Sequence, residues 1–108
     1  MKVWHNSLKE RFIEFPVHQH LLMICNELNR AGNLLNDTQE YKNCLERALE
    51  LLDYSVFSGV WMGKYKEILR ARGLIAHSYV SPPSETKDLQ KILICLNTEA
   101  FQIVNGKL

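Results

Sequence analysis

The chain has no long apolar run, no CxxC pair and no glycine-rich loop, and each absence removes a class of function. Apolar stretches such as Ile92-Leu93-Ile94-Cys95-Leu96 fall far short of the roughly 20 residues that a membrane-spanning helix needs. Met1-Lys2-Val3-Trp4-His5-Asn6 contains no apolar h-region, so no secretory leader is expected. Without a glycine-rich phosphate cradle, an HExxH pair or zinc-type Cys/His spacing, neither a cofactor nor a metal is expected. Cysteine is scarce and scattered. Cys25, Cys44 and Cys95 are odd in number and each lies in or beside an apolar helical stripe, so they read as buried thiols of a cytoplasmic protein. An excess of one charge is also missing. Thirteen Lys plus Arg against 12 Asp plus Glu leave a net charge of +1, which argues against broad electrostatic binding to a long duplex. A local basic face is compatible with that balance.

What is present suffices for one core. In 108 residues, 46% are hydrophobic and 23% charged, outside the range of disordered chains. Surface scaling gives roughly 6,200 Å² folded against about 18,000 Å² extended, so residues 1–108 are expected to form a single domain.

Apolar periodicity gives helices and no strand. Trp4, Leu8, Phe12 and Phe15 define a first short helix, which Pro16 ends. Val17, Leu21, Ile24, Leu28, Ala31 and Leu35 step by four and three along a second. Asn36-Asp37-Thr38 breaks it and caps a third, which carries Tyr41, Leu45, Ala48, Leu52 and Val56. Ser58-Gly59 reads as a turn into a fourth helix from about Val60 to Val80. After Ser81-Pro82-Pro83-Ser84, with Ser84 as cap, a fifth helix carries Leu89 to Ile103 and closes at Asn105-Gly106. The expectation is an all-α, up-down four-helix bundle with an additional short N-terminal helix.

Most polar features read as ordinary helix surface. His18 and His20, two apart, point in different directions and cannot share an ion, so both are expected to be exposed or half-buried. Glu46 and Glu50 read as a solvated face, and so does the seam of Asn26, Asn29, Asn33 and Asn36.

One segment carries chemistry. In Glu67-Ile-Leu-Arg70-Ala-Arg72-Gly-Leu-Ile-Ala-His77-Ser-Tyr79, His77 falls seven residues after Arg70 and returns nearly to its angle, with Lys66 extending the ridge. Gly73 leaves a notch one turn before His77. Arg72 lies about 140° from His77 and interrupts the apolar stripe of Trp61, Tyr65, Ile68, Ile75 and Tyr79. A guanidinium there must be paired, half-exposed or functional. An imidazole can exchange a proton near neutral pH at a ribose hydroxyl or a leaving oxygen. Arginines can hold the phosphate and stabilise its developing charge. Ser78 and Tyr79 can add hydrogen bonds. Ala71, Gly73 and Ala76 are small enough for a second helix to approach, and a two-fold would bring two Arg/His sets into one cleft.

Arg72-Gly-Leu-Ile-Ala-His77-Ser-Tyr79 reads as R-x4-H-x-Y and resembles the motif of HEPN domains, the small helical domains of prokaryotic toxin–antitoxin and defence systems. The resemblance is nearest to the toxins that pair with a nucleotidyltransferase antitoxin. It implies a homodimeric, metal-independent endoribonuclease acting on RNA, with Arg72 and His77 catalytic and Tyr79 beside them as a target of nucleotidyl transfer. Lys66, Arg70, Ser78 and Tyr79 would bind substrate. The looser family form, R-x4–6-H, also admits Arg70, and helical geometry favours Arg70 as the residue sharing a face with His77. Gly73 departs from the family, whose active members commonly carry a polar residue after the arginine. The alternative is a noncatalytic helical interaction module, associated with a nucleotidyltransferase or another protein.

Overall fold

Pro16 sets the first boundary: it has no amide hydrogen to continue a helix, and its φ is fixed, at −64° here with ψ at 157°. The structure, a computed structural model, describes residues 9–106. The expected positions Trp4 and Leu8 of the first helix, and His5, lie outside that range. A short α1 (Lys9–Glu14) precedes Pro16 and α2 (Val17–Gly32) follows it. The side chain of Asp37 accepts from the Glu40 amide at 3.1 Å and so starts α3 (Thr38–Phe57), the cap that the sequence predicts. Then come α4 (Tyr65–Val80), α5 (Lys87–Ile94) and α6 (Thr98–Val104). There is no strand among the described residues.

The four main helices pack together as a compact all-α globule. α2 lies against α3 and α5, and α4 also lies against α3 and α5. The radius of gyration, 13.2 Å, matches the ~13 Å expected for a compact chain of this length. Leu21, Ile24 and Leu28 meet Tyr41, Leu45 and Leu52, with Ile68 and Ile75 of α4 and Leu93 of α5, all fully buried. Burying each such side chain contributes about 1.5–3 kcal/mol before the entropy of ordering is subtracted.

Four expected boundaries shift, each for a local reason. α2 stops at Gly32 rather than near Leu35, which puts Asn33 at its C-cap and Asn36 in the following turn. The asparagine seam is therefore helical only at Asn26 and Asn29. α4 starts at Tyr65, not Val60, because Gly59 and Gly63 both adopt positive φ (83° and 88°), which a helix cannot contain. The turns between them drop Trp61 into the core. The last helix is two helices: Asn97 breaks it, its side chain accepting from the Ala100 amide at 2.9 Å to start α6. Thr86, not Ser84, stands at the start of α5, and its buried hydroxyl donates to the Leu28 carbonyl of α2 at 2.6 Å. A methyl on Gly32 would sit 2.9 Å from that hydroxyl, so Gly32 is what lets the two segments clasp.

Two polar expectations are also corrected. His20 is neither exposed nor half-buried but fully enclosed, stacked on Phe12 with ring centroids 4.2 Å apart. Its Nε2 faces the Phe12 carbonyl at 2.8 Å and must carry the proton, which leaves Nδ1 to accept from Ser55 Oγ at 2.8 Å. Ser55 Oγ in turn accepts from the Trp61 indole at 2.7 Å. Glu46 is buried rather than solvated. Cys25 and Cys44 are buried as expected, but Cys95 is exposed at the end of α5.

Burial is the main influence on His20 and lowers its pKa from 6.5, against an opposing pull from the Phe12 and Phe15 carbonyls. Below about pH 6.5 the unfolded chain therefore binds a proton that the native state refuses, and stability falls with pH. Urea midpoints should drop between about pH 7.5 and pH 5.5 in the wild type. His20→Gln should be less stable at the upper pH and show a flatter slope between the two; an unchanged slope would contradict the assignment.

Candidate functional site

The two flanks of α4 do different work. On a regular helix His77 stands about 180° from buried Ile68, while Lys66 and Arg70 lie within about 20° of His77. All three are exposed, and they form one basic ridge along the solvent face. His77 occupies the last turn of α4. Its carbonyl accepts from Ser81 Oγ at 2.7 Å.

Arg72 and Tyr79 sit on the other flank and face α3. The Arg72 guanidinium grips Asp53 with two hydrogen bonds, Nε to Oδ1 at 2.6 Å and an Nη to Oδ2 at 3.2 Å. The hydrogen bond to Asp53 outweighs desolvation and holds the guanidinium pKa above its ordinary value. Tyr79 donates its hydroxyl to Glu46 Oε2 at 2.7 Å, and the Lys42 ammonium lies 5.3 Å from the centre of its ring. The carboxylate contact, helped by burial, pushes the Tyr79 phenol up, so the proton stays on it at neutral pH.

The motif is therefore divided. Lys66, Arg70 and His77 share one face, with Arg70 about 10 Å from His77 along the helix axis. Arg72 and Tyr79 are committed to α3 and are not on the His77 face. Half-buried Ser78 lies about 100° around the helix from His77 and is not on the ridge either. The apolar stripe expected on this segment is buried at Trp61, Ile68 and Ile75 but exposed at Tyr65. Ala71 is buried in the chain's own core and Ala76 is half-buried against it, which leaves Gly73 as the exposed small residue.

Between these flanks runs an uncovered apolar stripe. Leu69 is 49% exposed and Val80 76%, with exposed Tyr65 on the same line and half-buried Ala76 beneath it against the core. A Cβ on Gly73 would meet nothing within 4 Å, so the fold of this chain makes no steric demand for glycine there.

Sequence reasoning missed the α3 partners. Their signal is a matched spacing: Glu46 and Asp53 are seven apart on α3, as are Arg72 and Tyr79 on α4, and the pairs run antiparallel. It also missed Glu27, buried on α2, which accepts from Arg47 Nε of α3 at 3.0 Å and from Arg30 at 3.2 Å. No group of three or more His, Cys, Asp or Glu among the described residues is arranged to hold a metal ion. No described helix is long and apolar enough to cross a membrane.

Comparison with protein-family models, curated proteins and solved structures finds no match to this chain.

The two rungs should differ in weight. Asp53→Asn breaks a solvent-screened pair and is expected to cost about 0.2–1 kcal/mol. Tyr79→Phe removes a hydrogen bond to a buried carboxylate and is expected to cost more, about 1.5–3 kcal/mol. Denaturant unfolding of the single and double variants checks this. The rungs lie about 10 Å apart along the helix, so the two costs should add.

Proposed function

We propose that this chain is a HEPN-like domain that dimerises through α4 and cleaves RNA without a metal, with His77 as the proton-transfer group and Arg70 as its phosphate-holding partner. One observation carries the reading: the exposed ridge of Lys66, Arg70 and His77 borders an uncovered apolar stripe, Leu69 to Val80, notched at Gly73. A second copy laid on that stripe would cover exposed apolar surface and bring two basic ridges to one cleft. The finer architecture belongs to the same proposal. α2–α5 form an up-down four-helix bundle with α1 as the extra helix, a reading supported by the order in which they touch.

In this scheme the imidazole takes the ribose hydroxyl proton, or protonates the leaving oxygen, while Arg70 and Lys66 neutralise the phosphate. Arg72 acts through position, locking α4 onto α3 by way of Asp53. Tyr79 remains a candidate for modification by a nucleotidyltransferase partner, and Glu46, 2.7 Å from its hydroxyl, is placed to take the phenolic proton.

A second reading, a noncatalytic interaction module, is favoured by the engagement of Arg72 and Tyr79 in bracing the fold. Single-stranded RNA incubated with the chain in excess EDTA separates the two. Ribonuclease action predicts cleavage that survives the chelator and falls at least about 100-fold in His77→Ala. Arg70→Ala should lose more activity than Arg72→Ala, with circular dichroism unchanged. Cleavage that persists in His77→Ala, or that is absent from the wild type, would leave the interaction module as the better account.

A further inference from the structure

Between α2, α5 and α6 lies a pocket of about 460 Å³, within the ~300–1,000 Å³ range of small-molecule sites. Its apolar lining is Cys25, Ile94, Phe101 and Val104. Burial pushes the Cys25 thiol up to about 12, so this part of the lining is uncharged, and its S–H donates to the Gln90 carbonyl at 3.7 Å. Phe101 and Val104 are 43% and 57% exposed, although they stand beside a concave apolar surface.

Charge on the lining has one sign. Lys87 and Lys91 both line the pocket, four residues apart and hence on one face of α5. Neither is in an ion pair among the described residues. No acidic side chain among the described residues lines the cavity. Nearby Glu99 is turned to His18 of α2, at 3.3 Å.

We propose that this pocket binds a medium-chain alkyl carboxylate, its tail against Ile94, Phe101 and Val104 and its head between Lys87 and Lys91. An apolar cavity gains by covering hydrocarbon, and two ammonium groups with no ion-pair partner among the described residues select an anionic head over a cationic one. The proposal uses no residue of the α4 ridge, so it stands or falls apart from the ribonuclease reading.

Titration of the isotopically labelled full chain with octanoate and with octylamine, followed by amide chemical shifts, tests it. Octanoate should give saturable shifts centred on α5 and α6. Octylamine should bind about threefold to tenfold more weakly, from the reversed sign at two exposed charges. In the Lys87→Gln/Lys91→Gln variant, whose changed side chains are exposed, the preference between the two should vanish. Equal affinity for octylamine in the wild type, the absence of saturable shifts, or shifts centred on the Leu69–Val80 stripe would overturn the proposal.

Discussion

A fully buried imidazole must have partners for both ring nitrogens, and in this chain that requirement ties together four segments. His20 of α2 reaches back to the Phe12 carbonyl of α1 and forward to Ser55 of α3, and Ser55 holds Trp61 from the turns before α4. Every group in the relay is satisfied in one tautomer: the indole donates to the serine, the serine to Nδ1, and Nε2–H to the carbonyl. A charged ring would break that order, because Nδ1 would become a second donor aimed at the serine oxygen. The placement of α4 rests on this relay, since Trp61 is where the chain re-enters the core after two glycines at positive φ.

From that anchor, α4 runs along α3 and is fastened at two further rungs, Arg72 to Asp53 and Tyr79 to Glu46. Fastening fixes its rotation. With Ile68 and Ile75 turned into the core, Lys66, Arg70 and His77 must face solvent, and Leu69 and Val80 are left exposed, with nothing among the described residues to cover them. The exposed basic ridge follows from the side chains that hold the helix down.

Much of this was legible in the sequence. The 3.6-residue period located the main helices, Pro16 and Asp37 marked their boundaries, and the helical wheel placed Arg70 rather than Arg72 beside His77. Partners across helices were not legible, because periodicity shows which residues share a face and not what stands opposite. Glu46 looked like a surface acid until Tyr79 of another helix was set against it. His20 looked like a routine helix histidine because nothing local reveals Ser55, 35 residues away. Gly63 and Asn97 were local signals of ordinary kind, a left-handed turn and a helix cap, inside stretches whose apolar spacing suggested unbroken helix. Both surfaces proposed to bind, the α4 stripe and the α5–α6 pocket, rest mostly on apolar side chains outside the core stripes, Leu69 and Val80 on α4 and Phe101 and Val104 on α6, whose exposure only the packed fold shows.

The uncovered stripe on α4 bears the most weight, because without a second copy the basic ridge is open to bulk water and encloses nothing. Sedimentation velocity of the wild type and of Leu69→Glu addresses it most directly. Leu69 is 49% exposed, so a carboxylate there should leave thermal unfolding nearly unchanged while setting two like charges against each other at the proposed two-fold. A concentration-dependent dimer in the wild type and a monomer in Leu69→Glu is the predicted result. A wild type that stays monomeric, or a Leu69→Glu variant that dimerises as well as the wild type, would contradict the account.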